Sequence, residues 1–199
     1  MKTVDFIFDF GSPNAYLAHK VIHGVEVRTG ARFRYVPCLL GGIFKATGNQ
    51  SPIAAFANVP AKLVYENLEM QRFIARHDIP FAMNPYFPVN TLTIMRGAVA
   101  VEGEAAFARY VDAVFDAMWR AAKKMDDPGA IRAVLDAAGL DGARLLEKTQ
   151  APEVKAKLMA NTEEAVARGV FGAPTFFIGD EMWFGKDRLR DVEEALAAR

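Results

Sequence analysis

VDFIFDFGSP, residues 4–13, is the stretch from which the fold is read. From Val4 to Phe10, β-branched and aromatic residues flanked by polar ones predict a strand entering a buried sheet. Gly11-Ser12-Pro13 stops it. Ser12 suits a helix N-cap, and Pro13 suits the first helical position, where its missing N–H would have had no intrahelical partner. Tyr16, Leu17, Val21, Ile22 and Val25 follow at helical spacing until Gly30 ends the helix. RFRYVP, residues 32–37, alternates again, so the chain opens with a strand, a helix and a second strand.

Residues 39–58 contain Gly41, Gly42, Gly48 and Pro52 and predict a loop with short helical pieces, the kind of segment that carries function. Residues 60–77 are helical in pattern, and residues 79–88, with three prolines, are irregular. From 91 to 168 the chain reads as consecutive helices. TFFI at 175–178 is again a strand, Gly179-Asp180-Glu181 a hairpin turn, residues 182–184 a return strand, and a last helix starts near Asp187. The order βαβ, helices, ββα predicts an α/β fold with sheet-forming elements at both ends of the chain and an all-helical insertion between them. The expected division is residues 1–60 and 165–199 for the sheet-bearing part and 61–164 for the inserted helical domain.

Composition narrows the chemistry. Lys plus Arg equals Asp plus Glu at 24 each among 199 residues, so no overall field draws the chain to nucleic acid or an anionic membrane. The single cysteine, Cys38, excludes an internal disulfide, a Cys-x-x-Cys pair and a cysteine-built zinc site, and it reads as a small buried apolar residue. His19 and His23 stand at helical i, i+4 spacing without the acidic companion of a zinc-protease pattern. They read as solvated helix-face residues, and no metal is expected. The N-terminus lacks the pattern of a signal peptide, and no apolar run reaches the ~20 residues that span a bilayer, which points to the cytoplasm.

Four places could hold chemistry. Ser12, at the mouth of a helix that follows a buried strand, sits where backbone N–H groups and the helix dipole favour an anion, although capping alone would also explain it. Gly172-Ala173-Pro174-Thr175 places a proline at the start of a strand, where a cis bond can expose the Ala173 backbone to an extended peptide; an ordinary trans proline is the plainer alternative. Lys186 and Asp187, at the start of the last helix, could receive the charged end of a small peptide, or Asp187 could simply cap that helix. Residues 41–49 are glycine-rich but lack the ending of a phosphate-binding loop, leaving Lys45 and Asn49 as polar contacts for a ligand.

Taken together, DFGSPNAYLA, LLGGIFKATGN, FPVNTL with MRGA, and VFGAPTFFIGDEMWFGKDRL resemble the 2-hydroxychromene-2-carboxylate isomerases and their relatives, the kappa-class glutathione transferases. The resemblance runs along essentially the whole chain. It implies a thioredoxin fold interrupted by helices, as in bacterial disulfide oxidases, with residues 1–60 and 165–199 as the thioredoxin-like part and glutathione as cofactor. Ser12 would hydrogen-bond the glutathione sulfur and favour its thiolate, and Pro174 would be cis. Ala173 would pair its backbone with the cysteinyl unit, while Pro13, Asn14, Asn49, Lys186 and Asp187 would hold the rest of the tripeptide. Lys45, Tyr86, Asn90 and Arg96 are the candidates for a substrate carboxylate.

The activity so implied is isomerisation of 2-hydroxychromene-2-carboxylate to trans-o-hydroxybenzylidenepyruvate in aromatic degradation, by reversible addition of the glutathione thiolate. A glutathione transferase or peroxidase acting on other electrophiles, and a non-catalytic glutathione-binding protein, are the alternatives. Dithiol exchange by the protein itself is chemically closed, because Ser12-Pro13-Asn14-Ala15 carries no sulfur where a Cys-x-x-Cys pair would stand. The partners expected are a small aromatic carboxylate and a second copy in a homodimer, with neither nucleic acid nor membrane.

Overall fold

The computed structural model describes residues 2–198. Four strands form one sheet: β1 (Thr3–Phe8), β2 (Arg32–Pro37), β3 (Thr175–Ile178) and β4 (Glu181–Phe184), in the order β2-β1-β3-β4. β1 and β2 run parallel, with Phe6 opposite Tyr35, which requires the crossover supplied by helix α1 (Pro13–Thr29). β3 is antiparallel to β1, with Phe6 opposite Phe176, and it turns at Gly179 into antiparallel β4.

The alternation within β1 explains its central place. Val4, Phe6 and Phe8 face one side, where they meet Phe33, Phe115 and Phe176, while Ile7 faces the other side with Phe177 and Ile43. Each buried aromatic is worth about 1.5–3 kcal/mol relative to exposure, so a one-residue slip that exchanged the faces would be heavily disfavoured. Asp5, on the Ile7 side, is held by Arg34 and Arg168. Burial pushes its carboxyl upward, and the two guanidinium groups outweigh that and hold it below the ordinary value.

The helices divide between the faces. α1 and α10 (Leu189–Ala197) cover the Phe6 side, and the same buried cluster continues into α5 (Leu92–Ala100), α6 (Phe107–Trp119), α7 (Pro128–Ala137) and α8 (Gly142–Lys148). α2 (Leu40–Thr47) and α9 (Pro152–Ala167) cover the Ile7 side through Ile43 and Ala165. The short α3 (Pro52–Ala55) and the longer α4 (Pro60–His77) connect α2 to the irregular segment before α5. The thioredoxin-like order with inserted helices is therefore present as read from the sequence.

Three boundaries differ from the sequence reading. β1 ends at Phe8 rather than Phe10, because Asp9 turns inward to hydrogen-bond α2 and Phe10 packs among Tyr110 and Phe115. α2 is a regular two-turn helix despite Gly41 and Gly42, since Ile43 anchors it against the sheet and Gly48 closes it in the left-handed region, φ 69°. α10 begins at Leu189, and Asp187 lies in a preceding 3₁₀ turn (Lys186–Arg188), so Asp187 does not cap the last helix.

Candidate active site

Ser12 stands where β1 gives way to α1. Its N–H donates to the Asp9 carbonyl at 3.0 Å, closing a turn, and its extended backbone puts Oγ over the helix start. That Oγ accepts the Ala15 N–H at 3.1 Å, the bond of an N-cap. It also donates its own proton to the Ala173 carbonyl at 2.9 Å. Ser12 thus caps a helix and bridges to the opposite end of the chain, with only 5% of its surface exposed.

The Ala173-Pro174 peptide bond is cis. The Gly185 N–H donates to the Pro174 carbonyl at 2.9 Å, and the Thr175 hydroxyl to the Gly172 carbonyl at 2.8 Å, which fixes the approach to β3. Gly172 is dictated by space: a Cβ there would lie 2.8 Å from the Phe184 ring. Among the described residues the Ala173 N–H has no acceptor, and neither does the Asn14 N–H in the first turn of α1. Two backbone donors therefore remain unused beside the Ser12 hydroxyl. No acidic residue occupies the first turn of α1 itself, so the positive end of the helix dipole is open to an anion there.

Asn49 reaches the same rim. Gly48 ends α2 and delivers Asn49, whose Nδ2 donates to the Phe171 carbonyl at 2.7 Å, two residues before Ala173. Lys186 and Asp187 stand beside the Gly185 contact to Pro174. The Lys186 side chain is 5% exposed, its Nζ lies 2.8 Å from Asp187 Oδ2 and 5.2 Å from the Phe73 ring centroid, and so its charge is already matched inside the protein. The Asp187 side chain, 63% exposed, is the one of the pair that faces solvent.

A groove of about 930 Å³ lies between α2, α5 and α9. Leu39, Leu92, Leu158 and Val166 give it an apolar lining, and Lys45, Arg96 and Lys155 edge it with positive charge, against one carboxylate, Glu163. The three cations have no ion-pair partner among the described residues. Lys45 and Arg96, both expected from sequence, are thereby brought together. Tyr86 and Asn90 are not among the groove's lining residues: Tyr86 is exposed, and Asn90 Oδ1 accepts the Leu92 N–H at 3.0 Å at the entry to α5.

Sequence reading missed Asp9, Thr91 and Lys155. Asp9 is buried beside the Ser12 loop, and burial pushes its carboxyl upward against the pull of the hydrogen bonds from the Gly11 and Leu40 N–H groups. The signal available was an acidic residue inside an aromatic run, which a strand extended to Phe10 absorbed as ordinary alternation. His19 also departs from its expected solvated place. It lies between Tyr35 OH and Asp112 Oδ1, each at 2.8 Å, and stacks on Phe115 at 5.0 Å, whereas His23 is exposed as read. Cys38 is fully buried, and burial pushes its thiol up to about 12, so it behaves as an apolar residue rather than a nucleophile. No cluster of three or more histidine, cysteine or acidic residues that could hold a metal occurs among the described residues, and none of their helices is long and apolar enough to cross a membrane.

Residues 3–197 match the family model described as a DSBA-like thioredoxin domain, which defines the class. A 2-hydroxychromene-2-carboxylate isomerase from Pseudomonas putida is 32% identical over 193 residues, covering 97% of this chain and 93% of that protein. A solved structure of a 2-hydroxychromene-2-carboxylate isomerase superposes with a TM-score of 0.86 at 31% identity, covering 98% of this chain and 95% of the other. Glutathione S-transferase kappa 1 from Caenorhabditis elegans is 26% identical, covering 98% and 91%. The chain belongs to the 2-hydroxychromene-2-carboxylate isomerase family and is an enzyme.

Proposed function

We propose that the protein is a glutathione-dependent isomerase acting on 2-hydroxychromene-2-carboxylate or a close aromatic carboxylate. The observation that carries the reading is the Ser12 hydroxyl, held at a helix start and bonded across to Ala173 beside unused backbone donors.

The tripeptide would lie along Ala173 in the extended manner of an added strand. Its cysteinyl N–H would take over the Ala173 carbonyl, and its cysteinyl carbonyl would accept the Ala173 N–H. Once the carbonyl is taken, the Ser12 hydroxyl rotates to donate to the sulfur, and the Asn14 N–H and the helix dipole add to the field. These groups favour the thiolate because they stabilise the charged form. Asn49 and Asp187 stand at the two ends of this rim, suited to the tripeptide's polar termini, while Lys186 acts by holding Asp187 in place.

The electrophile would occupy the groove between α2, α5 and α9, with its ring on Leu39 and Leu92 at the end that follows β2 and opens α5, and its carboxylate toward Lys45 and Arg96. The hemiketal ring opens first, its 2-hydroxyl losing a proton as the C2–ring-oxygen bond breaks and the phenol oxygen takes that proton. The thiolate then adds to the β-carbon of the resulting cis enone, so that an S–C bond forms and the π electrons move to the ketone oxygen as an enolate. The former double bond is now single and rotates. The enolate then collapses, the double bond returns in the trans form and the thiolate leaves, with nothing oxidised or reduced. Glutathione is regenerated in every cycle. The family resemblance and the single cysteine support a reducing, cytoplasmic setting, and the resemblance supports a homodimer.

Purified protein supplied with the chromene carboxylate and glutathione tests this. Isomer should form with no loss of free thiol. Consumption of thiol in step with product would instead favour a transferase, and absence of turnover with retained glutathione binding would favour a binding protein.

A further inference from the structure

Asp9 takes no part in the reaction as proposed, yet it is an acid with 2% of its surface exposed, three residues before Ser12. Burying such a group is costly unless its oxygens are fully matched by donors. Here they are. Oδ1 accepts the Gly11 N–H and Oδ2 accepts the Leu40 N–H, each at 2.8 Å, and Thr91 packs beside them around Gly11. We infer that Asp9 is a positioning residue for the sulfur site, its carboxylate tying the loop that carries Ser12 to the start of α2, where Thr91 at the entry to α5 packs beside it.

Each partner marks a separate part of the machinery. Gly11 adjoins Ser12. Leu40 opens α2 next to Leu39, and Thr91 precedes α5 next to Leu92, and both leucines line the groove. The packing is close enough to transmit a displacement: a Cβ on Gly11 would lie 3.1 Å from Thr91 Cγ2 and 3.3 Å from Asp9 Oδ1. The loop is further held by the Trp119 Nε1–H donating to the Phe10 carbonyl at 2.7 Å, and by the Phe10 N–H aimed at Met95 Sδ at 3.4 Å. Asp9 has no hydrogen bond to Asn49, Ala173, Lys186 or Asp187. Loss of the carboxylate should therefore disturb where the sulfur meets Ser12 and the electrophile while leaving the tripeptide's hold intact.

The inference rests on the glutathione chemistry proposed above. Asp9→Asn tests it, because the amide offers a single acceptor oxygen and turns an N–H toward a backbone donor, so either Gly11 or Leu40 loses its partner. With saturating glutathione and chromene carboxylate, kcat should fall by about tenfold or more, since a displacement near 1 Å in a reacting pair can cost about a hundredfold. Glutathione affinity by calorimetry should match the parent protein, and melting should remain one cooperative transition. Thr91→Val, which removes only the hydroxyl packed beside Asp9, should lower kcat in the same sense, and Thr91→Ser should recover it. An Asp9→Asn protein with the parent's kcat overturns the inference. So does parallel loss of kcat, glutathione affinity and cooperative melting, which would make Asp9 a general structural residue. If Asp9→Asn does not fold, the Thr91 pair decides: equal kcat for Thr91→Val and Thr91→Ser overturns it. A parent protein that neither binds glutathione nor turns over refutes the proposed function instead, and the inference falls with it.

Discussion

Replacing Ser12 with alanine deletes one oxygen and two contacts, and the cost of each can be worked separately. Loss of the N-cap bond to Ala15 costs about 1 kcal/mol, and loss of the bond to the Ala173 carbonyl about 1 kcal/mol more. For a chain of this size, about 2 kcal/mol lowers Tm by roughly 4–8 °C. The catalytic cost is distinct, because a hydrogen bond to a charged sulfur is worth about 1.5–3 kcal/mol. That corresponds to a rise of about one to two units in the thiol pKa. The sign is fixed: removing a donor that stabilises the charged form makes the thiol a weaker acid.

The acid limb of kcat against pH should therefore move upward by about one to two units, with parent and variant converging at alkaline pH where both sulfurs are ionised. Calorimetric melting and the pH–rate profile are measured on the same preparation. If Tm falls as expected while the acid limb stays in place, Ser12 is a cap and nothing more, and the reasoning about the sulfur is refuted.

Other outcomes follow from the same structure. Arg96→Gln removes an unpaired cation from the groove and should raise KM for the carboxylate electrophile while leaving glutathione affinity unchanged; an unchanged KM would place the carboxylate elsewhere. Cys38, buried and with its thiol pushed up to about 12, should not react with a disulfide reagent at pH 8 until the protein is unfolded. Labelling of the native protein would show that its burial opens readily. Gly97→Ala should destabilise despite alanine's better helix propensity. Its Cβ would fall 1.9 Å from the Tyr110 hydroxyl, which donates to the Ile94 carbonyl. Overpacking of this kind costs about 1–3 kcal/mol, read as a lower Tm.

The fold was legible where chemistry is local. VDFIF and TFFI declare strands buried on both faces, and Gly30 and Gly48 mark helix ends because the backbone there is left-handed, φ 67° and 69°. Ser12-Pro13 declares a helix start for the same local reason. What lay beyond reach depends on partners distant along the chain. Nothing near Asp9 in sequence shows that its carboxylate meets the Leu40 N–H, so the strand is read two residues too long. The glycines of α2 suggest a loop until Ile43 is seen against Phe177. The cation-edged groove joins residues 39–46, 92–96 and 155–167, so Lys155 could not be grouped with Lys45 and Arg96 until α9 was placed beside α2. His19 was read as solvated because its partners, Tyr35 and Asp112, lie on a neighbouring strand and a distant helix.

The most direct measurement is an ultraviolet titration of the sulfur of glutathione bound to the parent protein. If Ser12 and the helix start act as described, thiolate absorbance appears with a midpoint about one unit or more below the free thiol's ~8.5. A midpoint at the free-thiol value, with the tripeptide demonstrably bound, would contradict the account.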